Sequence, residues 1–218
     1  MSHALHRPLI LASASPRRAE ILRHAGIPFR IIRTSVDESP LPGESPARHV
    51  ARLAREKALA AARRGRGPAV ILGADTVVVL GRQILGKPAS ARDARRMLRL
   101  LSGRTHRVLT GIALLRLQPG THRLRILSAV ESTRVTFARL SPREIAAYVA
   151  TREPMDKAGA YAVQGRAGKF VTRIEGCYFN VVGLPLARLR LWLRAFGMKT
   201  APSKNIRRPR SSGRRKKP

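Results

Sequence analysis

Acidic residues are scarce in this chain, and the few in unusual surroundings are its first candidates for chemistry. Of 218 residues, 44 are Lys or Arg and only 12 are Asp or Glu. Asp75 stands inside an apolar run, Ile71-Leu-Gly-Ala-Asp-Thr-Val-Val78. A buried carboxylate without a partner is costly. The expected solutions are a strand-end position facing a cleft, a metal ion, or a strong hydrogen-bond donor. Asp37 and Glu38, in Ser35-Val-Asp-Glu-Ser39, are the other candidate oxygen ligands. Hard carboxylate ligands suit Mg²⁺ or Mn²⁺ better than zinc, and the six histidines show no metal-binding spacing.

Basic groups supply the complementary half. In Ser13-Ala-Ser-Pro-Arg17-Arg18 a short strand runs into a helix start. Free backbone N–H groups and the positive end of the helix dipole gather there. With a serine hydroxyl and two arginines, this is a site for an oligophosphate. Lys57, in Leu53-Ala-Arg-Glu-Lys-Ala58, and Lys87, in Leu85-Gly-Lys-Pro88, can each aim a point charge at phosphate. Gln164 lies in a glycine-rich stretch with glycines at 159, 165, 168, 176 and 183. Such backbone permits close approach of a ligand, and an amide that donates and accepts can read a base edge.

The elements that must position these groups alternate. Leu9 to Ala14 reads as a buried strand, followed by a helix capped by Ser15, opened by Pro16 and ended by Gly26. Phe29 to Ile32 is a second strand. Ser45-Pro46 opens a long Ala/Arg-rich helix to about Arg64. Ala69 to Leu80 is strand-like but interrupted at Gly73-Ala-Asp75-Thr76, with a hairpin turn at Gly81-Arg82-Gln83. A Ser90-capped helix ends at Gly103. Two long strands, about Thr105–Leu117 and Arg123–Ala138, join through a turn near Pro119-Gly120. Ser141 and Glu144 form a capping box. In the last helix, Leu186 to Phe196, core spacing falls on Leu189, Trp192, Leu193 and Phe196. Alternating helices and strands followed by paired strands give an α/β class with a mixed sheet.

The formal net charge is +32. A tail from Lys199 to Pro218 has the composition of a disordered basic extension, but the body is basic without it. Anionic partners follow, whether nucleic acid, nucleotide or phosphate. The lone Cys177 excludes an internal disulfide and a Cys-rich zinc site, and it reads as buried and not nucleophilic. No secretory signal or membrane-length apolar run stands out, so the expected location is cytoplasmic.

Taken together, Ser-x-Ser-Pro-Arg-Arg, Val-Asp-Glu, Arg-Leu-Ala-x-Glu-Lys-Ala, Gly-Ala-Asp-Thr-Val, Gly-Lys-Pro, Leu-Ser-Gly-x-Thr-His, Asp-Lys-Ala-Gly-Ala-Tyr and Val-Val-Gly-Leu-Pro resemble the Maf family, in order, from about Leu9 to Phe196. The resemblance implies an elongated mixed sheet flanked by helices in two lobes around a central cleft. One domain then covers 1–198, with the tail at 199–218. It implies a nucleoside triphosphate pyrophosphatase that cuts the α–β linkage with a divalent metal. Asp75 would activate water; Ser13, Arg17, Arg18, Lys57 and Lys87 would hold the triphosphate; Glu38 and Asp75 would place the metal. Arg17, Thr76 and Gln164 resemble the branch acting on dTTP and UTP, with modified pyrimidine nucleotides a broader possibility. The alternative is a nucleic-acid-binding or septum-regulating protein that uses the basic surface. A homodimer and weak nucleic-acid contact through the tail are the other expected partners.

Overall fold

β1 (Leu9–Ala12) is wholly apolar and buried on both sides, as a central parallel strand must be. It pairs in parallel with β2 (Phe29–Ile31) and with β3 (Val70–Leu80). The computed structural model describes residues 8–64, 69–117 and 124–198. These form one seven-stranded mixed sheet in the order β2-β1-β3-β5-β6-β7, where β5 is Thr105–Leu117, β6 is Leu124–Phe137 and β7 is Val171–Glu175. The short β4 (Gln83–Leu85) folds back antiparallel on the end of β3.

The run predicted to break at Gly73–Thr76 is one continuous strand of 11 residues. β5 pairs with it throughout, from Val70 to Val79. The break lies instead on the other edge. β1 ends opposite Gly73, and the antiparallel β4 reaches back only as far as Val78, which pairs with Leu85. Between them, Ala74 to Val77 present an edge with no strand beside it among the described residues.

Helix α1 (Pro16–His24) follows β1, and α2 (Pro46–Arg64) lies across the sheet. Two glycines decide how closely α2 lies. A Cβ on Gly73 would stand 2.0 Å from the Ala54 carbonyl oxygen, and one on Gly111 would stand 2.1 Å from that of Val50. Only glycine lets helix backbone rest on sheet backbone there. Ile71, Val77, Val79, Leu109, Ala113 and Leu115 fill the α2 face of the sheet.

The opposite face carries two separate apolar cores. One joins Val70, Leu72 and Ala74 to α1 and to α6 (Leu186–Ala195), with Leu189, Leu193 and Phe196 buried as the spacing predicted. The other joins Val78, Val108, Val135 and Phe137 to α3 (Ala91–Leu101) and α4 (Pro142–Ala150). These two cores are the expected lobes. The Ser90 cap and the Ser141–Glu144 capping box are present; Ser15 precedes α1 but makes no side-chain cap.

The glycine-rich stretch holds more order than its composition suggested. It contains three 3₁₀ turns at Glu153–Asp156, Ala158–Ala160 and Arg166–Phe170, then β7 and the short α5 (Tyr178–Val182). The expected turn near Pro119-Gly120 and the basic tail from Lys199 lie outside the described residues.

Candidate active site

The unpaired edge of β3 is the floor of a cleft of about 680 Å³, a size suited to a small organic ligand. Side chains alternate along a strand, so Asp75 faces α2 while Thr76 faces the seam between the two cores. Both line the cleft, because it wraps around the bare edge.

On the α2 side, the close packing at Gly73 and Gly111 brings Lys57 over Asp75. The Lys57 Nζ donates to Asp75 Oδ1 at 2.7 Å and lies 2.6 Å from Glu38 Oε1. Asp75 and Lys57 are each 8% exposed. The burial puzzle posed by Asp75 is thus resolved by a strong donor at a cleft-facing position. Burial raises the Glu38 carboxyl, but the Lys57 hydrogen bond and charge outweigh it and hold the group below its ordinary value.

Glu38 belongs to a loop pinned from below. Arg52 donates to Glu44 at 2.7 Å and to the Ser39 carbonyl at 2.9 Å, while Glu44 accepts from the Leu41 N–H and contacts His49. The Arg52 hydrogen bond brings the Glu44 carboxyl down to about 2. Asp37 turns onto its own loop, accepting from the Ser39 N–H at 2.9 Å, and does not line the cleft.

On the other side, Arg18 is held at every nitrogen. Nε donates to the Gly183 carbonyl at 2.8 Å, Nη1 to Ser13 Oγ at 2.9 Å and Nη2 to Thr76 Oγ1 at 3.0 Å. Burial lowers the Arg18 guanidinium from its ordinary value, and the charge of Asp75 opposes that shift. Arg18 is a preset cation; Arg17 is less tightly held, reaching Asp156 across the cleft at 3.4 Å with its side chain 25% exposed. Lys87 is exposed on the rim and Lys157 lines the same wall.

The structure therefore brings together Ser13, Arg17, Arg18, Glu38, Lys57, Asp75, Thr76 and Lys87 around one cleft. Gln164 is exposed on a turn and is not among the lining residues. Cys177, read as buried, is half-buried, and its backbone exchanges hydrogen bonds with Thr133. Sequence reasoning missed Asp156 and Lys157 as cleft residues, although both stand in a quoted motif. It also missed Thr110 and Asn180, which lie beneath Thr76 and are entirely buried. Nothing in their local sequence marks them; only strand register places Thr110 beside Thr76.

Two carboxylates converge on one cation, and further cations line the same cleft, an arrangement whose chemistry suits a phosphorylated molecule. The profile of the Maf-like protein family matches residues 8–196, and the chain belongs to that family. Among curated proteins it is similar to the dTTP/UTP pyrophosphatase of Symbiobacterium thermophilum, 53% identical over 87% of this chain and 94% of that one. It is also similar to the dTTP/UTP pyrophosphatase of Pelotomaculum thermopropionicum, 50% identical over 88% of this chain and 97% of that one. Among solved structures, the Staphylococcus aureus Ham1 protein aligns over 87% of this chain at 14% identity and a TM-score of 0.46, too distant to bear on the chemistry. Among the described residues, no helix is long and apolar enough to cross a membrane.

Proposed function

We propose that this protein hydrolyses dTTP and UTP to the monophosphate and pyrophosphate, with water attacking the α-phosphorus. The observation that carries the reading is Asp75, buried at the bare edge of β3 and facing an arginine- and lysine-lined cleft. The names of relatives at 50% and 53% identity supply the substrate class.

Asp75 is the acceptor for the proton of the attacking water. Arg18, fixed by three hydrogen bonds, offers charge to the phosphates without reorganising, which is how preset electrostatics lower a barrier. Arg17 leaves Asp156 for the substrate, and Lys57 and Lys87 complete the phosphate cradle. Ser13 orients Arg18 through its hydroxyl.

A divalent cation, Mg²⁺ or Mn²⁺, fits the residues present. Glu38 and Asp75 already converge within 2.6 and 2.7 Å of a single positive centre, the Lys57 ammonium. Among the described residues no cluster of three or more His, Cys, Asp or Glu could hold a metal unaided. Two carboxylates with phosphate oxygens are the usual Mg²⁺ environment in phosphate chemistry. Bound there, the ion would neutralise charge developing on phosphoryl oxygens. The setting this implies is the cytoplasmic nucleotide pool.

Pyrophosphate release from each common nucleoside triphosphate, with Mg²⁺, with Mn²⁺ and with chelator, tests the proposal. Metal-dependent release concentrated on dTTP and UTP is expected. Release from none of them contradicts it.

A further inference from the structure

Beneath Thr76 the direction of every hydrogen bond can be deduced. Thr110 Oγ1 lies 3.0 Å from the Asn180 carbonyl oxygen and 2.9 Å from Thr76 Oγ1. A carbonyl has no proton, so Thr110 donates its single hydroxyl proton to Asn180. Thr76 must then donate to Thr110. Thr76 also accepts from Arg18 Nη2 at 3.0 Å. The chain runs one way, from Arg18 through Thr76 and Thr110 to Asn180. It is anchored, because the Asn180 side-chain amide donates to the Val108 carbonyl at 3.0 Å and to Thr133 Oγ1 at 2.9 Å.

The consequence appears at the cleft surface. Thr76 has spent its proton and one lone pair, and keeps one lone pair for a ligand. It is a hydroxyl that can only accept. Phosphate oxygens surrounded by these cations have no proton to give. Beside Thr76 the cleft is lined by Val78, Val108, Val181, Val182 and the ring of Tyr161, whose hydroxyl is turned to His106, with Asp156 and Lys157 further along the wall; the apolar part is a chamber suited to a base. Uracil and thymine carry a donor, N3–H, where cytosine carries an acceptor. A Cβ on Gly183 would stand 3.6 Å from Thr76 Oγ1, so the glycine keeps the approach open.

We propose that Thr110, which touches no substrate, is a positioning residue that selects imide pyrimidines. It holds the Thr76 hydroxyl as an acceptor for N3–H and so sets it against the N3 lone pair of cytosine. This rests on the dTTP/UTP reading and names the contact that reading lacks.

The test compares UTP with CTP by kcat/KM and by equilibrium binding, in the wild type and in Thr110→Val. Valine releases the Thr76 proton, which can then be given to cytosine N3. The UTP-over-CTP ratio should fall about tenfold, chiefly by gain on CTP, and Thr110→Ser should restore it. A ratio within about twofold of wild type in a Thr110→Val protein of near-normal melting temperature overturns the proposal. Two analogues make the test on the wild type alone, should the valine variant not fold. N3-methyl-dTTP should lose about tenfold or more, and 2′,3′-dideoxy-TTP should lose little. The reverse pattern assigns the lone pair to the sugar hydroxyl and overturns the proposal. Binding that favours UTP without hydrolysis would sink the enzymatic reading and leave this one standing.

Discussion

At Ala74–Val77 the two faces of β3 are polar in different ways. On the α2 face, Lys57 bridges Glu38 and Asp75 in an ion-paired cluster, and the Glu38 side chain is 53% exposed. Its charges can be redistributed when a polyanion arrives. On the Thr76 face, Arg18, the two threonine hydroxyls and the Asn180 backbone carbonyl form a directed chain whose deeper residues, Thr110 and Asn180, are wholly buried. Its protons cannot be moved without leaving a buried group unpaired, which costs about 1–3 kcal/mol. Under the proposed function, the difference becomes a division of labour across one strand: adaptable charge where bonds are made and broken, fixed polarity where a ligand is recognised.

The largest expected effect breaks the reactive face alone. Asp75→Asn should lower kcat by roughly 10³ while nucleotide affinity changes far less. Steady-state kinetics beside calorimetric binding checks this, and an unchanged kcat removes Asp75 as the base. Next is the packing that makes the reactive face. Gly111→Ala drives a methyl into the Val50 carbonyl, lifts α2 and moves Lys57 from Asp75. A loss of roughly 2–4 kcal/mol in denaturant unfolding is expected. A variant of wild-type stability would show that α2 can yield there.

A similar loss, confined to acid, belongs to the recognition side. His106 is 2% exposed, and its Nε2 lies 2.8 Å from the hydroxyl of Tyr161, which lines the base chamber. Burial brings the imidazole down from 6.5 to about 4. The unfolded chain therefore takes up the proton first as pH falls. Stability is complete above about pH 6.5 and drains away toward pH 4, by on the order of 3 kcal/mol. Urea unfolding from pH 7 to 4 should show this slope in the wild type and a flatter one in His106→Gln; equal slopes would acquit His106. The smallest effect is expected at Gln164, exposed and outside the lining. Gln164→Glu should weaken the preference for dTTP and UTP only a few-fold. An unaltered substrate profile takes Gln164 out of recognition.

The reactive face was largely legible in the sequence, the recognition face only in part. An Asp in an apolar run, lysines beside glycine or within an amphipathic helix, and a Ser-Pro-Arg-Arg helix start advertise themselves by conflict with their surroundings. Thr110 and Asn180 do not. A threonine in a strand and an asparagine in a short turn are ordinary, and their meaning arises when register sets Thr110 opposite Thr76 and α5 folds over both. Helix α2 was read with its bounds because caps and periodicity are local. The supposed break in β3 was misread because Gly73 marks close approach of another backbone, not a turn. The short 3₁₀ turns, β7 and α5 were hidden in a glycine-rich stretch whose order depends on contacts distant in sequence.

The most direct test of the division between faces is the UTP-over-CTP ratio in kcat/KM for the wild type, Asp75→Glu and Thr76→Val. Asp75→Glu should depress both substrates by the same factor and leave the ratio intact. Thr76→Val should collapse the ratio with a smaller loss on UTP. A ratio altered as much by Asp75→Glu as by Thr76→Val would mean that β3 does not separate chemistry from recognition, and would contradict the account.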